Sequence, residues 1–319
     1  MITGRPLAIA SIGPMAARYL VSAERHVGTF AGRVSHVFET SFAVEFPEHR
    51  FVCVGAAGMD NGPLNAVCRE TKVDGWRATG AVEGAAVAVA DGLMQLAGGP
   101  AFDMRGAVLW QPPPWPSGWG LADLQTGLDA LDAVALTQAP EEGLARAVFR
   151  GSASTGIAGA VLRSALCKTA TIADWLAARF SGGTDAALDA AARAATHGLI
   201  GLGPGLTPSG DDLVAGLAIA LSAAGQADAA AALAGFVRAA PAHATSALSR
   251  AFLDAAIAGL PAAALHAAIA ALINGDEAAL AAAVDRLDGV GHTSGWDMLA
   301  GAVLGLRAVT HRRSDASLQ

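Results

Sequence analysis

A chain of 319 residues that is 53% hydrophobic and only 15% charged can bury a large core, which excludes a disordered protein. Its net charge of −7 and scattered arginines exclude the basic face of a nucleic-acid binder; the one small basic cluster, His311-Arg-Arg313, lies in what reads as a frayed tail. Three cysteines, Cys53, Cys68 and Cys167, have no CxxC spacing, so they read as buried thiols rather than a zinc site or a disulfide framework. Alanine supplies much of the hydrophobicity. The alanine-rich stretch 81–98 is broken by Glu83, Asp91 and glycines, and the apolar segment 213–224 falls short of the ~20 residues a membrane span needs. No basic start leads into an apolar run and a cleavage site, so a cytoplasmic protein without a membrane partner is expected.

In chain order, residues 14–23 read as a helix. Short Val- and Phe-rich runs at 34–38, 41–46 and 51–54 then read as strands. Asp60-Asn-Gly-Pro63 signals a turn before an apolar run at 64–68, and a further strand is expected at 106–110. The Pro-rich segment Gln111-Pro-Pro-Pro-Trp-Pro-Ser-Gly118 reads as a boundary packed by Trp110, Trp115 and Trp119. Beyond it, apolar residues recur at spacings of three and four. Helices are expected at 121–135, 141–149, 172–180, 185–197, 211–224, 227–239, 246–258, 262–273, 277–287 and 295–309. The fold class is therefore α+β: a β-rich N-terminal domain over 1–115 and a mainly α-helical domain over 119–311.

The stretch Gly201-Leu-Gly-Pro-Gly-Leu-Thr-Pro-Ser-Gly-Asp-Asp-Leu-Val-Ala-Gly216 carries the most chemistry. Gly201, Gly203 and Gly205 let the backbone turn and approach a ligand closely. Thr207 followed by Pro208 reads as a helix N-cap with proline at the first helical position. A helix start offers unpaired N–H groups and a partial positive charge, so this loop is expected to cradle a small phosphate or carboxylate. It lacks the lysine of a P-loop and the preceding strand of a dinucleotide fingerprint. A tight helix–helix turn is the plain alternative.

Asp211 and Asp212 both suit a helix dipole, yet carboxylates beside a bound anion repel it. Either a Mg2+ sits between them, or one accepts N–H groups from a substrate that carries an amide as well as an anion. A third possibility is that Asp212 merely closes a capping box with Ser209. No other cofactor is called for.

An internal echo supports a paired site. Ser209-Gly-Asp-Asp-Leu-Val-Ala-Gly216 recurs as Ser294-Gly-Trp-Asp-Met-Leu-Ala-Gly301. Convergence on good helix starts would explain Ser and Asp, but capping does not require Gly216 or Gly301. Those glycines would let two helices cross closely, with both N-termini at one pocket. Gly210, Thr293, Ser294 and Asp297 join the candidate ligand-binding residues on this ground. Arg250, in Thr245-Ser-Ala-Leu-Ser-Arg250, offers a planar fork for an anion, or a surface pair with Asp254. His292, just before a helix start, is expected to be a neutral imidazole serving as hydrogen-bond donor or base, or else a solvated capping-region residue. Asn61 could close the pocket from the first domain or belong only to its turn.

Together, the motifs at 201–216, 245–250 and 291–301 resemble the AllH-type family, which includes a subunit of oxamate carbamoyltransferase from anaerobic allantoin and purine breakdown. The resemblance covers 195–305 most closely and implies carbamoyl transfer between carbamoyl phosphate and oxamate, or a related small acid. It implies partner subunits as well, one of them similar to acyl-CoA synthetase-like proteins. On this view Asp211, Asp212 and His292 are the candidate catalytic groups, and Gly201, Gly203, Gly205, Thr207, Ser209 and Arg250 help to bind substrate. The alternatives are a non-catalytic metabolite-binding or scaffold subunit, and a stand-alone Mg2+-dependent phosphate-transfer enzyme.

Overall fold

The computed structural model describes residues 5–24, 32–70, 75–150, 156–183 and 185–316. The chain divides into two compact units, Met1–Pro113 and Pro114–Gln319, each with a core of its own. The fold is α+β, strands first and helices after.

In the first unit, nine strands run β1 (Leu7–Ile12), β2 (Gly32–Val37), β3 (Ser41–Phe46), β4 (Arg50–Gly55), β5 (Asn65–Cys68), β6 (Ala86–Ala90), β7 (Leu93–Leu96), β8 (Ala101–Asp103) and β9 (Val108–Leu109). They pair in the order β5-β4-β3-β2-β6-β7-β8-β1-β9. A further antiparallel pairing of β1 with β5 closes the sheet into a barrel, with β9 lying beside β1. Closure leaves few unpaired edges. Helix α1 (Pro14–Glu24) follows β1. Inside, Phe42, Trp76 and Phe102 form an aromatic cluster with ring centroids 5.0–6.1 Å apart.

Strands β6 and β7 lie in the segment read only as alanine-rich. Their alternation is visible in Ala86-Val-Ala-Val-Ala90, where Val87 and Val89 are buried. Asp91 and Gly92, both at positive φ, make the two-residue hairpin between β6 and β7. Cys53 and Cys68 are buried as expected, but Cys167 is exposed.

The second unit holds α2 (Leu121–Gln138), α3 (Ala145–Arg150), α4 (Gly156–Phe180), α5 (Ala186–Leu199), α6 (Ser209–Ala223), α7 (Ala227–Ala239), α8 (Ala247–Ile257), α9 (Ala263–Asn274), α10 (Glu277–Asp288) and α11 (Ser294–Ala316). α4 begins well before the helix expected at 172–180. α11 continues through residues 311–316, where a frayed tail was expected. Among the described residues no helix is long and apolar enough to cross a membrane.

α6 is the centre of this unit. It is apolar on all sides after its first turn and is buried at every residue except Ser222. α11 lies against it, and the contact is set by the two glycines of the echo. A Cβ on Gly216 would stand 1.8 Å from the Met298 carbonyl oxygen, and one on Gly301 would stand 1.8 Å from that of Leu213. Met298 and Leu213 are themselves equivalent positions in the echo, so the crossing is locally two-fold symmetric. The helices run side by side with their N-termini at the same end: Thr207 Oγ1, just before α6, is 3.2 Å from Ser294 Oγ at the start of α11.

Candidate anion site

The loop between α5 and α6 is shaped by its glycines. Gly201, Gly203 and Gly205 have φ of 82°, 121° and 92°. Gly201 also has no room for a side chain, because a Cβ would lie 1.9 Å from the Ala244 carbonyl oxygen. Gly205 faces open space instead. The loop is pinned at both ends: Leu202 N–H donates to Leu199 O (2.8 Å), and Gly210 N–H donates to Leu202 O (2.9 Å). Between the pins, no backbone or side-chain acceptor of the described residues takes the N–H groups of Gly203, Gly205, Leu206 and Thr207. Free donors on a glycine loop at a helix start are what an anion requires.

The helix start differs in detail from the sequence reading. Pro208, not Thr207, is the N-cap, with extended ψ of 141° and no side-chain cap. Its carbonyl accepts from Asp211 N–H (2.8 Å) and Asp212 N–H (3.2 Å). Proline is tolerated there because only its carbonyl is needed. Thr207 is thereby released to face Ser294, and Ser209 to sit beside Asp297 instead of closing a capping box.

Adjacent aspartates point about 100° apart around a helix, and here they have opposite fates. Asp211, 2% exposed, is fully engaged by the protein. Its Oδ1 accepts from Gly201 N–H at 2.7 Å. Its Oδ2 accepts from the hydroxyls of Ser249 (2.6 Å) and Thr245. One carboxylate therefore ties the glycine loop to α6 and α8. Ser246 adds a second tie, donating to Leu206 O at 2.6 Å and capping α8. Thr245, Ser246 and Ser249 were missed as site residues. Their signal was present: hydroxyls recurring at a helix start, one turn apart.

Asp212 is turned towards α11. It is 7% exposed and its Oδ2 has no hydrogen-bond partner. Burial pushes its carboxyl well above the ordinary range. The Ser294 hydroxyl opposes that rise, and the charges of Asp297 and Asp211 add to it. Asp297, the equivalent residue on α11, is fully buried. Its Oδ1 accepts from Leu144 N–H (2.6 Å) and Ala145 N–H (3.0 Å). Burial raises its carboxyl too, against the hydroxyls of Ser209 and Thr293 and those two N–H groups. Gly143 permits the approach: a Cβ there would lie 2.8 Å from both Asp297 oxygens.

The adjacent aspartates are turned to different partners, Asp211 to protein donors and Asp212 towards α11. Asp211 has spent both oxygens on protein donors, and among the described residues no group of three His, Cys, Asp or Glu side chains is placed to hold a metal ion.

The structure thus brings Gly201, Gly203, Gly205, Thr207, Ser209, Gly210, Asp211, Asp212, Thr293, Ser294 and Asp297 into one region around two helix starts. Three candidates lie apart from this arrangement in what they do. Arg250 caps the end of α7, donating to the carbonyls of Val237 (2.8 Å), Ala240 (3.3 Å) and Pro241 (3.2 Å). His292 is 81% exposed in its side chain and contacts Glu142 Oε2 at 2.9 Å. Asn61 belongs to the first unit, where its Oδ1 accepts from Ser11 Oγ at 2.6 Å. No curated protein and no solved structure matches the chain. Residues 199–306, which hold the glycine loop, α6 and the start of α11, match the family model described as oxamate carbamoyltransferase subunit AllH, the family that the motifs resemble.

Proposed function

We infer that this chain is a subunit of a cytoplasmic carbamoyltransferase and holds the carbamoyl phosphate. The observation that carries the reading is the row of unclaimed N–H groups from Gly203 to Thr207, inside the family-matched region and in front of α6. A phosphate accepts hydrogen bonds from such donors, and the helix start adds its partial positive charge. In the forward direction the oxamate amide nitrogen attacks the carbamoyl carbon. A C–N bond forms, the C–O bond to phosphate breaks with its electron pair leaving on phosphate, and the nitrogen loses a proton. The products are oxalurate and phosphate.

The chain's contribution is binding and orientation. An amide nitrogen is a poor nucleophile, so its placement against the carbamoyl carbon governs the rate. Among the described residues no ordinary base stands in the cradle: both oxygens of Asp211 are taken by donors, and His292 is exposed beside Glu142. That favours completion of the site by partner subunits, and it also favours the second reading, a non-catalytic metabolite-binding subunit. The deciding experiment assembles the chain with its partner subunits and measures phosphate released from carbamoyl phosphate and oxamate. Release that falls by orders of magnitude with Gly203→Val supports the transferase reading. No release from the complete complex refutes it, and release indifferent to Gly203→Val favours the non-catalytic reading.

A further inference from the structure

We propose that Asp212 binds the anion of the glycine loop as a neutral carboxyl, with Oδ2 as the donor. This rests on the reading of the loop as a phosphate cradle and gives the cradle the donor it lacks. The backbone N–H groups carry no full charge, and Arg250 is committed to the end of α7. A second ionised aspartate there would repel a phosphate at close range. A neutral carboxyl does the reverse, because its hydroxyl donates to an anionic oxygen in a short, charge-assisted bond.

Three observations place it. Asp212 is buried, and Oδ2 is without a partner although a buried polar atom is rarely left so. Its neighbour Ser294 touches Thr207, which sets the carboxyl on the Thr207 side of the helix start, the end of the loop whose last unclaimed N–H is that of Thr207. The comparison with Asp297 is the third. The equivalent carboxyl on α11 also has an unpartnered Oδ2, but its Oδ1 is met by two N–H groups of the chain itself, whereas among the described residues no N–H group meets Asp212. The charged groups facing Asp212 are Asp211 on its own helix and Asp297 on α11, and both favour the proton's staying on. The function that follows is selectivity for fully ionised tetrahedral oxyanions. A donor-only site accepts sulfate and the dianion of a monosubstituted phosphate, whose outer oxygens carry no proton, and holds inorganic phosphate less well because its remaining P–OH finds no acceptor; an ionised Asp212 would take that proton and reject sulfate.

The test is calorimetric titration of the full chain with inorganic phosphate and with sulfate, without oxamate or partner subunits. Wild type should bind sulfate, and inorganic phosphate more weakly. Sulfate, whose charge is constant over the range, should bind more weakly as pH rises and Asp212 ionises. Asp212→Asn, which keeps an N–H donor, should bind sulfate at near wild-type strength with that pH dependence removed. Asp212→Ala should bind about tenfold or more weakly. Infrared spectra should contain a protonated-carboxyl band that is absent from Asp212→Asn and moves when sulfate is added. Binding of phosphate but not sulfate overturns the proposal. So does equal weakening by Asn and Ala, or failure of wild type to bind either anion. If the anions bind as described and the assembled complex releases no phosphate from its substrates, the transferase reading falls and the role of Asp212 stands.

Discussion

Gly301→Ala tests the helix crossing on which the site depends. The added Cβ would lie 1.8 Å from the Leu213 carbonyl oxygen, 2.7 Å from its carbon and 3.0 Å from its Cα. An unstrained carbon–oxygen contact is about 3.3 Å, so α6 and α11 must part by roughly 1.5 Å. A backbone carbonyl cannot rotate away as a side chain would. Overpacking of this kind costs about 1–3 kcal/mol and occasionally more, and alanine's better helix propensity returns about 1 kcal/mol. Because the obstruction is backbone against helix, the upper end applies, and the net loss is about 2–3 kcal/mol. For a unit the size of Pro114–Gln319 that is a fall of roughly 4–12 °C in Tm. Gly216→Ala should cost a similar amount, since its Cβ meets the Met298 carbonyl in the same way. The double variant should lose clearly less than the sum, because one separation relieves both clashes. Urea unfolding of the three variants, followed by helical circular dichroism, measures this. Gly301→Ala with stability equal to or above wild type, or a strictly additive double variant, would refute the symmetric crossing.

Asp211→Ala leaves Gly201 N–H and the hydroxyls of Thr245 and Ser249 without their acceptor, and should cost at least about 3 kcal/mol in the same unfolding assay. Arg250→Ala should cost about 1–2 kcal/mol by uncapping α7 while leaving phosphate affinity unchanged; lost affinity at unchanged stability would restore Arg250 as an anion clamp. Asp212 and Asp297 both hold their protons more tightly in the folded chain than an unfolded carboxyl does. Their contribution to stability is therefore complete below the ordinary carboxylate range and is lost as pH rises through the raised folded values. Asp212→Asn should be more stable than wild type at neutral pH and should show a flatter rise in urea midpoint on acidification over that window.

The helices were legible where glycine, proline and apolar spacing mark them: 227–239 coincides with α7. The barrel was legible only in its Val- and Phe-rich strands. Alanine fits a strand poorly by propensity, so Ala86-Val-Ala-Val-Ala90 gave a weak signal and its burial is a tertiary effect. The Asp91-Gly92 hairpin signal was there to be read. At the site, the glycines announced the loop, and the echo located α11 because equivalent sequence meets itself across the crossing. The partners of Asp211 were not legible. Thr245 and Ser249 lie 34 and 38 residues away, and no local pattern couples a carboxylate to hydroxyls on a different helix. For the same reason, two neighbouring aspartates looked interchangeable until the helix turned one towards α8 and the other towards α11.

The two halves of the echo are alike in their helices and unlike in what precedes them. Residues 200–208 join α5 to α6, while the shorter segment 289–293 joins α10 to α11. In both, the second residue of the helix has its Cα pressed on the preceding helix: a Cβ on Gly210 or Gly295 would lie 2.0 Å from the carbonyl oxygen of Leu199 or Leu287. That shared packing keeps the helix starts level, so the extra length of the first connection has nowhere to go but outward, as a glycine loop with unclaimed N–H groups. In the second half, the segment at Gly143 comes down on Asp297, and Leu144 and Ala145 use it as an acceptor. In the first half no chain segment does this for Asp212. On the proposed reading the two helix starts are thus unequal: Asp297 Oδ1 is taken by the protein, and the start of α6 is the one offered to a ligand. The pairing doubles the favourable field of the helix dipoles at one place without doubling the sites, and one anion per chain is the stoichiometry that follows.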